Sequence, residues 1–132
     1  MDTSINFNEK KGFICDMDGV IYHGNHILPG AAEFIHWLQD THKEYLFLTN
    51  NSSKGVEGYI EKLNGMGIAT GREDYLTSVD AAIDLLRRRY PGRRCYVQGT
   101  RSFYDQLAAA GIPVTCDRED GAEILLSGFD RE

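Results

Sequence analysis

Short apolar runs alternate along this chain with stretches whose apolar residues recur every three or four positions. Gly12-Phe13-Ile14-Cys15 is short, aromatic and β-branched, which predicts a buried strand, and it stops abruptly at Asp16-Met17-Asp18-Gly19. Val20-Ile21-Tyr22 and Ile27-Leu28 flank His23-Gly24-Asn25-His26, a polar stretch suited to a reversing hairpin, so a small flap is expected there. After Pro29-Gly30, the spacing of Ala31, Phe34, Ile35 and Leu38 predicts a helix with one apolar face, bordered by Trp37. Tyr45-Leu46-Phe47-Leu48 predicts a second buried strand, and Thr49-Asn50-Asn51-Ser52-Ser53 at its end is expected to lead at once into a helix. That helix carries Val56, Tyr59, Ile60, Leu63 and Met66, and Gly65-Met66-Gly67 supplies its stop.

A second series begins near residue 75. Thr77-Ser78 with Asp80 offers a cap for a helix bearing Val79, Ala82, Ile83 and Leu86, which ends in Arg87-Arg88-Arg89. Cys95-Tyr96-Val97 reads as a strand, Ser102 to Ala110 as a helix stopped by Gly111, and Pro113-Val114-Thr115 and Ile124-Leu125-Leu126 as further short strands. Strands and helices therefore alternate in both halves, the pattern of an α/β protein with parallel pairing.

Composition narrows the field. The 132 residues suit one compact domain and exclude large multidomain machinery, and 42% hydrophobic with 26% charged residues supports a folded core. Fourteen Lys and Arg against twenty Asp and Glu leave a net charge of -6, which argues against nucleic acid and anionic membranes as partners. Cys15, Cys95 and Cys116 are odd in number and widely spaced, so free thiols in a reducing compartment are expected. No apolar leader region or bilayer-length run is evident, and a cytoplasmic location is expected.

The chemistry is concentrated at two strand ends. Asp16-x-Asp18-Gly19 follows an apolar strand, where open α/β sheets build their sites. Two close carboxylates repel unless a cation or shared proton relieves them, and Mg²⁺ is the natural companion. One acid can then attack phosphorus while the other handles protons. A solvated Asp-Gly turn is the plainer alternative. Thr49-Asn50-Asn51-Ser52-Ser53 places a hydroxyl and backbone amides before a helix, an arrangement that binds anions, although alone it also reads as a simple cap.

FICDMDGVIYHG and LFLTNNSS together resemble the haloacid dehalogenase-like phosphatases, and the VIYHG extension resembles their NagD-like, 4-nitrophenylphosphatase-type branch, which also includes phosphoglycolate-phosphatase-type enzymes. YLTSVDAA, CYVQGT and ILLSGFDRE look like the start of that branch's cap domain. The resemblance implies a partial Rossmann-like core over residues 1–74 and the beginning of an α/β cap over 75–132. It implies Mg²⁺-dependent hydrolysis of a phosphate monoester through an aspartyl-phosphate. Asp16 would be the nucleophile and Asp18 the general acid and base, with Mg²⁺ on Asp16 and the carbonyl of Asp18. Thr49 would bind the phosphoryl group, helped by Asn50 and by amides around Asp18 and Gly19. Expected substrates are small phosphorylated metabolites: a sugar phosphate, a nucleotide or a phosphoglycolate-like compound.

The family's pattern continues with a Lys and an acidic pair that have no counterpart here. The lysines are Lys10, Lys11, Lys43, Lys54 and Lys62, with none beyond, and Asp130 belongs to the GFDR stretch. The expectation is an N-terminal portion of a longer phosphatase, with open sheet faces that favour self-association into a homo-oligomer. The alternative is a non-catalytic remnant that binds Mg²⁺, a phosphorylated ligand or a partner chain. A receiver-like phosphoacceptor is disfavoured, since it needs a late Lys and its acids do not fall as a pair on the first strand. Plainer readings serve the rest: His23 and His26 as solvated loop residues, the arginine run as a helix end, and Cys15 as packing.

Overall fold

A computed structural model describes residues 4–118 and 121–130. β1 (Gly12–Asp16) forms where the apolar run predicts it, with Cys15 buried on one face and Ile14 74% exposed on the other. β2 (Tyr22–His23) and β3 (His26–Ile27) are antiparallel and reverse at Gly24-Asn25, the expected flap. α1 (Ala31–Asp40) buries Ala31, Ile35 and Leu38. Phe34 and Trp37 on α1 set their rings edge-on to Phe13 at 5.7 and 5.8 Å, so this helix covers the Phe13 side of β1. β4 (Glu44–Thr49) runs parallel to β1, with Ile14 opposite Leu46 and Asp16 opposite Leu48.

The next helix departs from expectation. α2 (Val56–Gly65) starts at Val56 and not directly after Ser53, because Asn51 and Ser52 use their side-chain oxygens on other amides before the helix begins. Its stop is as expected: Gly67 adopts φ +84, and the Ile68 amide donates to the Leu63 carbonyl at 2.9 Å. β5 (Tyr75–Thr77) is a strand that the hydrophobic pattern did not predict, since three residues give alternation too little length to register. Its Tyr75 is buried and its ring lies 5.3 Å from that of Phe47. β5 joins the first sheet, whose order is β1-β4-β5, although it opens the segment expected to begin the cap.

α3 (Ser78–Arg89) is capped as the sequence predicts: Thr77 Oγ1 accepts from the Asp80 amide at 3.1 Å, and Asp80 Oδ2 accepts from the Thr77 amide at 2.9 Å. Arginines in and after its last turn have partners. Arg87 donates to the Ala110 carbonyl, Arg88 pairs with Asp84, and Arg93 pairs with Glu123. β6 (Cys95–Gln98), α4 (Arg101–Ala109), β7 (Val114–Thr115) and β8 (Ile124–Ser127) complete the chain. β6 is the centre of a parallel sheet ordered β7-β6-β8. Its Cys95 and Val97 pack with Val79, Leu86, Phe103, Leu107 and Ile112, so α3 and α4 cover one face. On β8, Leu125 is 65% exposed.

The chain divides into two compact units, Met1–Leu48 with Ile60–Tyr75, and Thr49–Tyr59 with Leu76–Glu132. No helix among the described residues is long and apolar enough to cross a membrane.

Candidate active site

β1 delivers Asp16 to its C-terminal end, exposed, with the Met17 amide donating to Asp16 Oδ1 at 2.8 Å. Strand alternation carries one residue further and turns Met17 inward, where it is completely buried. Its carbonyl gathers the turn: the amides of Ile21, Val20 and Tyr22 donate to it at 2.9, 3.2 and 3.4 Å. The Gly19 amide donates to the Tyr22 carbonyl at 2.7 Å. Asp18 is thus bridged to Tyr22 in the parallel sense through its two neighbours, which leaves its own amide and carbonyl outside the bridge. Its carboxyl is exposed.

Gly19 sits at φ +79, a conformation that a side chain strains, so its contribution is the turn itself. The resemblance implied a phosphate-binding amide there. In this structure that amide donates to the Tyr22 carbonyl. Beside the acids, burial pushes the Cys15 thiol up from its ordinary value, which keeps it a neutral packing group.

The second strand end is built from side-chain oxygens. Thr49, the last residue of β4, is buried, and its Oγ1 accepts from the Asn51 amide at 3.2 Å while the hydroxyl keeps a proton to donate. Asn51 Oδ1 accepts from the Ser53 amide at 2.9 Å, and the Asn51 carbonyl accepts from the Tyr59 hydroxyl at 3.1 Å. Asn50 is exposed, and its carbonyl accepts from Ser78 Oγ at 3.2 Å. Buried Ser52 accepts from the Phe129 amide at 2.9 Å. The amides of Asn51 and Ser53 are therefore taken, in contrast to the free helix-terminus amides that the sequence suggested.

Sequence reasoning missed Met17, Tyr22 and Ser52 as organisers of these loops. Extending the alternation of β1 past Asp16 finds Met17. No local signal finds Ser52, whose partner lies 77 residues away.

Among the described residues, no group of three or more His, Cys, Asp or Glu side chains is placed to hold a metal ion. The donors at the end of β1 are two exposed carboxylates and a backbone carbonyl outside the bridge. These are hard oxygens, few in number, and they fit Mg²⁺, which binds through one or two carboxylates and keeps several waters.

Parallel pairing of β1 with β4, each followed by a helix, defines an α/β protein, the class in which sites form at the carboxyl ends of the strands. The haloacid dehalogenase-like hydrolase family matches residues 13–113, and the chain belongs to that family. It is 32% identical over 122 residues to an acid sugar phosphatase of Staphylococcus saprophyticus, which covers 92% of this chain and 46% of that protein. It is 35% identical over 105 residues to the ribonucleotide monophosphatase NagD of Escherichia coli K12, covering 80% and 42% respectively. A glycerol phosphate phosphatase from Mycobacterium tuberculosis, solved in complex with magnesium, superposes with a TM-score of 0.81 at 27% identity, over 93% of this chain and 37% of that one. The NagD-like resemblance holds, and the chain spans less than half the length of these relatives.

Proposed function

We propose that this chain carries the nucleophile and proton-transfer half of a phosphate monoester hydrolase site. The observation that carries the reading is the turn after β1: Asp16 is exposed with Oδ1 held by the Met17 amide, and Asp18 is fixed by its bridge to Tyr22. Asp16 Oδ2 forms a bond to phosphorus as the ester P–O bond breaks, and the departing alkoxide takes the proton of Asp18. Asp18, now a carboxylate, takes a proton from water. The water oxygen attacks phosphorus, the bond to Asp16 breaks, and inorganic phosphate leaves.

Thr49 donates its hydroxyl proton to a phosphoryl oxygen, Asn50 is a second side-chain donor, and the Asp18 amide is the main-chain donor that the Gly19 turn sets in place. Asp16 and the Asp18 carbonyl are the groups that would hold Mg²⁺, which when bound supplies charge neutralisation for the phosphoryl oxygens. The substrate class is a small phosphorylated metabolite: a sugar phosphate, a nucleotide or a phosphoglycolate-like compound. The names of the acid sugar phosphatase and the ribonucleotide monophosphatase support the first two.

Residues 75–132 are read as the start of an α/β cap, which the separate β7-β6-β8 sheet supports. Three free cysteines suit a cytoplasmic location, which cell fractionation checks. Exposed Ile14 and Leu125 suit self-association. A monodisperse monomer that binds no hydrophobic dye would count against that.

A second reading is a non-catalytic portion that binds Mg²⁺, a phosphorylated ligand or a partner chain. Hydrolysis of p-nitrophenyl phosphate with and without Mg²⁺ separates the two. Metal-dependent turnover that Asp16→Asn abolishes is expected of the hydrolase. A rate retained in Asp16→Asn would sink the nucleophile assignment, and no turnover from a chain of verified mass would favour the second reading.

A further inference from the structure

The flap carries a feature that hydrolysis does not use. His23 and His26 are register partners across the β2–β3 pair, joined by the two-residue turn Gly24-Asn25, and both are exposed. Directly opposed residues in an antiparallel pair point to the same face, with Cβ atoms about 4.5–5.5 Å apart. Two imidazoles so placed can reach one ion from neighbouring positions. The remaining histidines are differently situated: His36 Nε2 lies 3.0 Å from the Gly67 carbonyl, and His42 lies in a turn at φ 54, its amide donating to the Gln39 carbonyl.

We propose that His23 and His26 form a two-imidazole site for a borderline transition-metal cation such as Zn²⁺. Donor type separates this site from the carboxylates after β1. Neutral imidazole nitrogen suits Zn²⁺, Ni²⁺ and Cu²⁺, whereas Mg²⁺ prefers hard oxygens. The hairpin fixes both backbone positions, so the second Zn–N bond forms as an intramolecular step once the first is made. Water fills the remaining positions. A bound ion would link β2 to β3, and β2 begins with Tyr22, the bridge partner of Asp18.

The test is a calorimetric Zn²⁺ titration of the full chain in excess Mg²⁺, which occupies the carboxylates, and in a Cys116→Ser background, because Cys116 is an exposed thiol. The imidazole resonances are followed by NMR in parallel. The expected result is saturation of a single site with shifts confined to His23 and His26. Either His23→Ala or His26→Ala should weaken binding by about tenfold or more, and His42→Ala should leave it unchanged. Circular dichroism checks that each variant keeps its fold. Unaltered affinity in either flap variant, or shifts at His36 or His42 instead, would overturn the proposal, and the resonance pattern of the unmutated histidines decides the matter even if a variant misfolds. The site is independent of turnover, so an inactive chain would still show it.

Discussion

The loop after β1 is held by main-chain groups gathered around one buried side chain, whereas the loop after β4 is held by side-chain oxygens. In the first, the Met17 carbonyl accepts three amides and every bond falls within residues 16–22. In the second, Thr49, Asn51 and Ser52 each accept from a different amide, and one of these belongs to Phe129. The first loop is thus a self-contained turn that presents acids. The second is complete only with help from distant chain, and the two should respond differently to mutation.

The sharpest way to break the contrast is Met17→Ala. Emptying a fully buried position costs about 2–5 kcal/mol, read as a lower urea midpoint at unchanged slope. A loss below about 1 kcal/mol, the scale of ordinary surface changes, would show that the turn does not rest on this side chain. Ser52→Ala should cost less, about 1–3 kcal/mol, by leaving the Phe129 amide without its acceptor. Its signature is local: amide exchange should quicken at Phe129 and stay as it was at Tyr22. Equal protection at Phe129 in both proteins would remove the long-range tie from the comparison. The smallest effect belongs to Gly19→Ala. A Cβ there meets nothing within 4 Å, so only the left-handed backbone is strained, at about 1–2 kcal/mol. A midpoint equal to that of the unmutated chain would mean that the turn relaxes to another conformation.

The same contrast explains what could be read from the sequence. Elements whose cause is local were legible: the alternation in β1, the 3.6-residue period of α1, and the Thr77–Asp80 cap of α3. The Asp16 and Asp18 spacing marked its strand end for the same reason. β5 escaped because its three residues owe their conformation to the neighbouring strand and to Phe47, which is a tertiary cause. The start of α2 was misplaced because Asn and Ser satisfy turn amides as readily as helix amides, and the pattern alone does not say which. Gly19 shows the same limit. Glycine announced a turn, but the direction of its N–H is settled by the Tyr22 carbonyl three residues on.

The tie between Ser52 and Phe129 bears on the order in which the molecule acquires its working parts. Gly128 passes so close that an added Cβ would lie 2.7 Å from Ser52 Oγ, so the tail of β8 must thread a gap that only glycine fits. The hydrogen bonds of the turn bearing Asp16 and Asp18 all fall within residues 16–22. In the Thr49 loop, the Ser52 bond requires a loop closure across 77 residues. The acid-bearing turn thus draws its hydrogen bonds from one short segment, whereas the finished Thr49 loop needs the chain as far as Phe129.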